Sequence, residues 1–180
     1  GNICAGILAH HRGLPVEHFI AACNVNDVVP EYLRTEILQP KETVATISNA
    51  MDVGDPSNFV RILELFDKEF NQVKNKLSGY TIDDEETLKT IERVEKDYGY
   101  VLDPHGAVAF VALEKYLAEN GGKGFFLETA HPVKFPDSVE KATGKSVEIP
   151  KSLEELMRQE KFTTEINPQY EELKEFLLKK

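Results

Sequence analysis

The chain has 180 residues, 41% of them hydrophobic and 29% charged, enough for one ordinary domain with its own core. A formal net charge of −10 with no basic stripe excludes a nucleic-acid backbone as partner. No apolar run approaches the ~20 residues that span a bilayer, which excludes a membrane helix.

The first pattern is a helix. Ile3, Ile7 and Leu8, with the small residues between them, are apolar almost all round, so this helix is expected to be packed on several sides. His10, His11 and Arg12 suit its C-terminus, Gly13 suits a left-handed cap, and Pro15 forbids continuation. Residues 16–22 read as a buried strand with Asn24, Val25, Asn26 and Asp27 as its polar outlet. A helix over roughly 28–38 follows, with Asp27 at its N-cap. Residues 43–47 are β-branched enough for a second strand, opening onto Ser48, Asn49, Ala50, Met51 and Asp52.

Asp55 and Pro56 start a long helix with the stripe Phe59, Ile62, Leu63, Phe66, Phe70, Val73 and Leu77, ending at Ser78-Gly79. Asp83 with Glu86 makes a capping box for a surface helix that runs to about Asp97. Asp103-Pro104 opens a buried helix, broken at Asn120-Gly121-Gly122. The apolar run 124–127 reads as a short buried strand that switches abruptly to Thr, His, Pro and Lys. Short helices over 136–142 and 152–158 and a charged terminal helix over 169–178 complete the chain. The alternation predicts an α/β fold, a largely parallel sheet with flanking helices.

Ligands in such folds bind at the carboxyl ends of strands, so the outlets supply the candidates. Asn24, Asn26 and Asp27 are either turn and cap residues or binding groups. Asn49 and Asp52 stand beside an unusual Met51. His131 is either an acid–base group or a histidine satisfied by backbone. His105, just inside a helix start, reads as structural. His10 and His11 point about 100° apart and cannot share a metal. Cys4 and Cys23 lack zinc spacing and read as reduced thiols of a cytoplasmic protein; no metal is expected. Gly1-Asn2 directly before a helix could hold an anion on backbone N–H groups. A chain that opens there, without Met, is expected to be a piece of a longer one.

Leu127-Glu128-Thr129-Ala130-His131-Pro132-Val133-Lys134-Phe135 resembles the LxTAHPxKF signature of the threonine synthases. Other blocks are similar in family order: Gly1-Asn2-Ile3, Gly13-Leu14-Pro15, the block 21–27, Ser48-Asn49-Ala50-Met51-Asp52-Val53, Pro56-Ser57-Asn58-Phe59 and the block 103–109. Together they resemble the bacterial branch of that family.

The resemblance implies the fold-type II (tryptophan synthase beta-like) architecture of pyridoxal 5'-phosphate (PLP) enzymes. It also implies conversion of O-phosphohomoserine and water to threonine and phosphate. In that case Thr129 faces the pyridine nitrogen, and N–H groups at Gly1 and Asn2 belong to the phosphate cup. Asn24, Asn49, Asp52 and His131 line or brace the cleft. The Schiff-base lysine of the family belongs to its N-terminal half, and no lysine here matches it, so no catalytic residue is expected in this chain. The expectation is residues 1–180 as an incomplete PLP-binding large domain with a C-terminal helical extension, inactive alone, whose partners are the N-terminal half and a small substrate. Two alternatives stay open: a non-catalytic association module of the same ancestry, and another fold-type II lyase.

Overall fold

In the computed structural model, which describes residues 1–179, the apolar run after Pro15 pairs only from Phe19. Strand β1 (Phe19–Cys23) lies parallel to β2 (Leu77–Thr81), with Ala21 opposite Gly79 and Ala22 opposite Tyr80. Parallel strands need a crossover, and the segment between them supplies it with helices α2 (Val28–Thr35), α3 (Val60–Leu65) and α4 (Phe70–Lys76). Helix α1 (Asn2–His11) precedes β1. After β2 come α5 (Asp84–Tyr98), α6 (Pro104–Asn120) and α7 (Pro136–Thr143).

Alternation along the strands sorts the core into two faces. Ala21 and Leu77 join Ile7, Tyr32, Leu33, Phe59, Ile62, Phe66 and Val73 on the side of α1 to α4. Ala22 and Tyr80 turn the other way, against Ile82, Val108 and Val111. A third cluster, Ile91, Val94, Leu102 and Ala107, seals α5 to α6. The ion pairs Lys115–Glu86 (2.9 Å) and Arg93–Glu114 link the same two helices.

Gly79 of β2 packs directly against α2. A Cβ there would lie 2.7 Å from Pro30 Cα, so α2 can sit on the strand only over a glycine. Helix α1 buries Ile7 alone completely, worth roughly 1.5–3 kcal/mol. Leu8 stays 47% exposed, so the expected all-round packing is corrected to packing on one side.

The sequence-derived elements from α5 onward are largely borne out. Asp83 Oδ1 accepts from Glu86 N–H at 2.8 Å, while the Glu86 carboxylate turns to Lys115 instead of closing the box. Asp103 caps α6 through His105 N–H at 2.8 Å. Three expectations are corrected. The stripe from Phe59 to Leu77 is no single helix: a 3-10 turn (Ser57–Phe59), α3 and α4 share it, divided at Asp67 and Lys68, which take φ of 51° and 60°. Its last residue begins β2, which the sequence reading missed.

Residues 43–47 are irregular, because side chains rather than a strand satisfy their backbone. Residues 124–127 are irregular too, with Phe125 71% exposed and Leu127 51% exposed. No strand among the described residues pairs with them, and Phe126 instead packs edge-on against Phe110 at 5.5 Å. The sheet is therefore smaller than expected, two parallel strands, while the α/β class stands.

The chain consists of two compact units, Gly1–Val147, which holds everything above, and Glu148–Lys180. The second carries α8 (Lys151–Met157) and α9 (Tyr170–Leu178). Asn167 precedes α9 and bonds the Glu172 carboxylate through Nδ2 at 2.8 Å and through its backbone N–H at 3.1 Å. No helix among the described residues is long and apolar enough to cross a membrane.

Candidate functional site

The outlet of β1 is a buried polar knot. Asn24 is 4% exposed, and the two protons of its Nδ2 are shared among three acceptors, Thr46 Oγ1 at 3.0 Å, Ser48 Oγ at 2.9 Å and Asp52 Oδ1 at 2.9 Å. Its Oδ1 accepts from the backbone N–H of Asn26 at 2.9 Å and from Asn26 Nδ2 at 3.0 Å. Asp52 also accepts from Thr46 N–H at 2.9 Å and Thr46 Oγ1 at 2.7 Å. The structure thus brings Asn24 and Asp52 together across 28 residues of sequence. Asn49, in the 3-10 turn Asn49–Met51, is exposed, and Met51 is 61% exposed.

Asp27 occupies the N-cap position of α2 without a side-chain capping bond. Its carboxylate instead accepts from Lys41 at 2.6 Å and Thr81 Oγ1 at 3.0 Å. Burial tends to raise its pKa, but these donors and the Lys41 charge outweigh that and hold it below the usual value.

A second cluster gathers at the start of α6. Asp103 is fully buried, and its Oδ1 accepts from His105 N–H at 2.8 Å and lies 2.7 Å from His105 Nδ1, which therefore carries a proton. Glu128 arrives from the irregular run 124–127, and its Oε1 accepts from Asp103 N–H at 3.2 Å. Gly106 makes room for it, since a Cβ there would collide with the Glu128 carboxyl. Burial first, then the hydrogen bond and charge of Asp103, push Glu128 up to about 8. Burial also works against an ionised Asp103, yet the bonds from His105 and Glu128 hold Asp103 below its ordinary value. The pair is thus polarised, with the charge on Asp103.

Thr129 follows Glu128 directly and is exposed. His131 is exposed as well; its Nδ1 accepts from Val133 N–H at 3.1 Å, capping the 3-10 turn Pro132–Lys134. That contact is the backbone-satisfied arrangement of the two considered. Gly1 and Asn2 are exposed at the N-terminus of α1, where no acidic residue occupies the first turn. Donors free of a competing carboxylate suit an anion.

Sequence reasoning assigned Glu128 nothing. The available signal was a carboxylate ending an apolar run, an arrangement that needs a buried partner. Among the described residues no group of three His, Cys, Asp or Glu side chains is placed to hold a metal.

Known proteins resemble this chain over most or all of its length. Residues 106–177 match a family model described as threonine synthase, C-terminal. The chain is 48% identical to the threonine synthase of Escherichia coli (strain K12) over 155 residues, 86% of this chain and 36% of that protein. It is 44% identical to that of Buchnera aphidicola subsp. Schizaphis graminum, over 100% of this chain and 41% of the relative. The crystal structure of the Escherichia coli threonine synthase superposes with a TM-score of 0.88 at 42% identity, over 98% of this chain and 41% of its own. A PLP-bound threonine synthase from Brucella melitensis superposes with a TM-score of 0.80 at 28% identity, over 97% and 43%.

The chain thus spans about two fifths of the length of these relatives. In sequence and in fold alike it is similar to the threonine synthases, over their C-terminal part.

Proposed function

We propose that this chain is the C-terminal portion of a threonine synthase that converts O-phosphohomoserine and water to threonine and phosphate on PLP. The observation carrying this reading is Thr129: an exposed hydroxyl in the TAHP block, on a segment that Glu128 ties to the N-terminus of α6. A PLP-bound relative superposes over 97% of the chain, and the residues present suit that cofactor. The Thr129 hydroxyl offers a neutral partner to the pyridine nitrogen. Gly1 and Asn2 offer N–H donors to the phosphate at a helix end without opposing charge.

Bound PLP supplies an electron sink for a carbanion at the substrate. This chain's share is binding and orientation. The Thr129 hydroxyl would hold the ring nitrogen through one hydrogen bond and would leave that nitrogen less protonated than a carboxylate does. Asn24 and Asp52 brace the cleft wall through the polar knot, with Asn49 and His131 at its edge. The covalent attachment of the cofactor falls to a lysine of the N-terminal half, so the isolated chain is inactive and its partner is that half. On this reading residues 1–180 are an incomplete PLP-binding large domain with a C-terminal helical extension, working in the cytoplasm.

The test has two arms. In the complete enzyme, Thr129→Val should weaken PLP binding and shift the cofactor absorbance, with full retention of affinity and spectrum as the contrary outcome. The 180-residue chain alone, mixed with PLP and borohydride, should yield no stoichiometric adduct on any single lysine; one such adduct would reverse the assignment.

A further inference from the structure

Three buried polar atoms lack a partner among the described residues, and all three sit in one cluster: Asp103 Oδ2, Glu128 Oε2 and His105 Nε2. An orphaned buried acceptor is costly, about 1–3 kcal/mol each and more when charged. Here two of the orphans are carboxyl oxygens of neighbouring residues. The two carboxyls are hydrogen-bond partners of each other, so one proton placed on Glu128 Oε2 satisfies both by turning one oxygen into a donor for the other.

The remaining contacts fix which residue holds that proton. Asp103 Oδ1 already takes two donors from His105, its N–H and its Nδ1–H. Asp103 also caps a 17-residue helix, whose N-terminal partial charge favours an anion. Glu128 Oε1 accepts the Asp103 N–H. The other ionisable groups acting on the pair are His105, on α6, and Tyr100, on the loop before it.

We propose that Glu128 and Asp103 share a single proton, carried by Glu128, and that the resulting two-point bond locks the main chain next to Thr129 onto the first turn of α6. Asp103 N–H donates to Glu128 Oε1, and Glu128 Oε2–H donates to Asp103 Oδ2. Gly106 is required beneath the lock because a side chain there would displace the carboxyl. Glu128 is thus a positioning residue for Thr129; its bearing on the cofactor rests on the function proposed above, whereas the shared proton does not.

The experiment separates the two. In the 180-residue chain without cofactor, infrared spectra with 13C-labelled glutamate should show a protonated carboxyl at neutral pH that Glu128→Gln removes. The Thr129 amide resonance should titrate with a midpoint near 8 in the wild type and stay flat in Glu128→Gln, whose amide reproduces both bonds. A missing acid band, or a Thr129 titration unchanged by Glu128→Gln, overturns the proposal. In the complete enzyme, PLP affinity should fall several-fold from pH 7 to pH 9 in the wild type but not in Glu128→Gln, while Glu128→Ala weakens it at every pH. If the amide titrates as expected and PLP affinity ignores pH, the lock stands and the role given to Thr129 fails.

Discussion

The side-chain amide of Asn26 closes on both main-chain groups of Val44, accepting from its N–H at 2.8 Å and donating to its carbonyl at 2.9 Å. One side chain does here what a neighbouring strand would do. The buried outlet of β1 thereby gains a rigid wall without a third strand. Asn26→Ala leaves both Val44 groups and Asn24 Oδ1 short of a partner, so a loss of about 1–3 kcal/mol in denaturant unfolding is expected. Asn26→Asp should cost at least as much, because a carboxylate would face Asp52 Oδ1, now 3.2 Å from the amide.

Gly79 tests the packing of the sheet. A methyl group 2.7 Å from Pro30 Cα meets backbone, which cannot yield as a flexible side chain can. Gly79→Ala should destabilise by about 1–3 kcal/mol through displacement of α2. Urea midpoints measured beside the wild type decide it, and an unchanged midpoint would mean that α2 moves freely.

Stability should depend on pH through Glu128. Its carboxyl titrates near 4.5 ordinarily and is pushed up to about 8 in the fold. Between those values the folded chain holds a proton that the unfolded chain has lost, so stability is greatest below about 4.5 and falls as pH rises through about 8. Asp103, held below its ordinary value, runs the other way and loses its contribution only in strong acid. Melting temperature should therefore decline from pH 5 to pH 8 in the wild type, and Glu128→Gln should flatten the decline.

Cys23, at the end of β1, has its thiol pushed up to about 12 by burial and then by the charge of Asp27. The thiolate is the nucleophile, so Cys23 should resist iodoacetamide at pH 8 in the native chain and react once unfolded. Peptide mass mapping reads this directly; rapid native labelling of Cys23 would contradict the raised pKa.

What the sequence determined by itself was local or carried by contiguous blocks. Asp83 and Asp103 announce their helices because an N-cap bond spans only two or three residues. The TAHP, NVND and SNAMDV blocks were enough to point to the threonine synthases, to which the chain is similar along its length. Tertiary structure alone decided what distant backbone does. Phe59, Ile62, Phe66, Phe70, Val73 and Leu77 keep helical spacing straight through the break at Asp67, so periodicity could not reveal α3, α4 and β2 as separate elements. Residues 43–47 and 124–127 carry the composition of strands, but a strand exists only where another offers its hydrogen bonds. The first finds Asn26 and Asp52 instead, and the second finds the start of α6 through Glu128. That last contact joins positions 25 residues apart by a buried carboxyl, and only the folded chain reveals the low-polarity surroundings that keep its proton on.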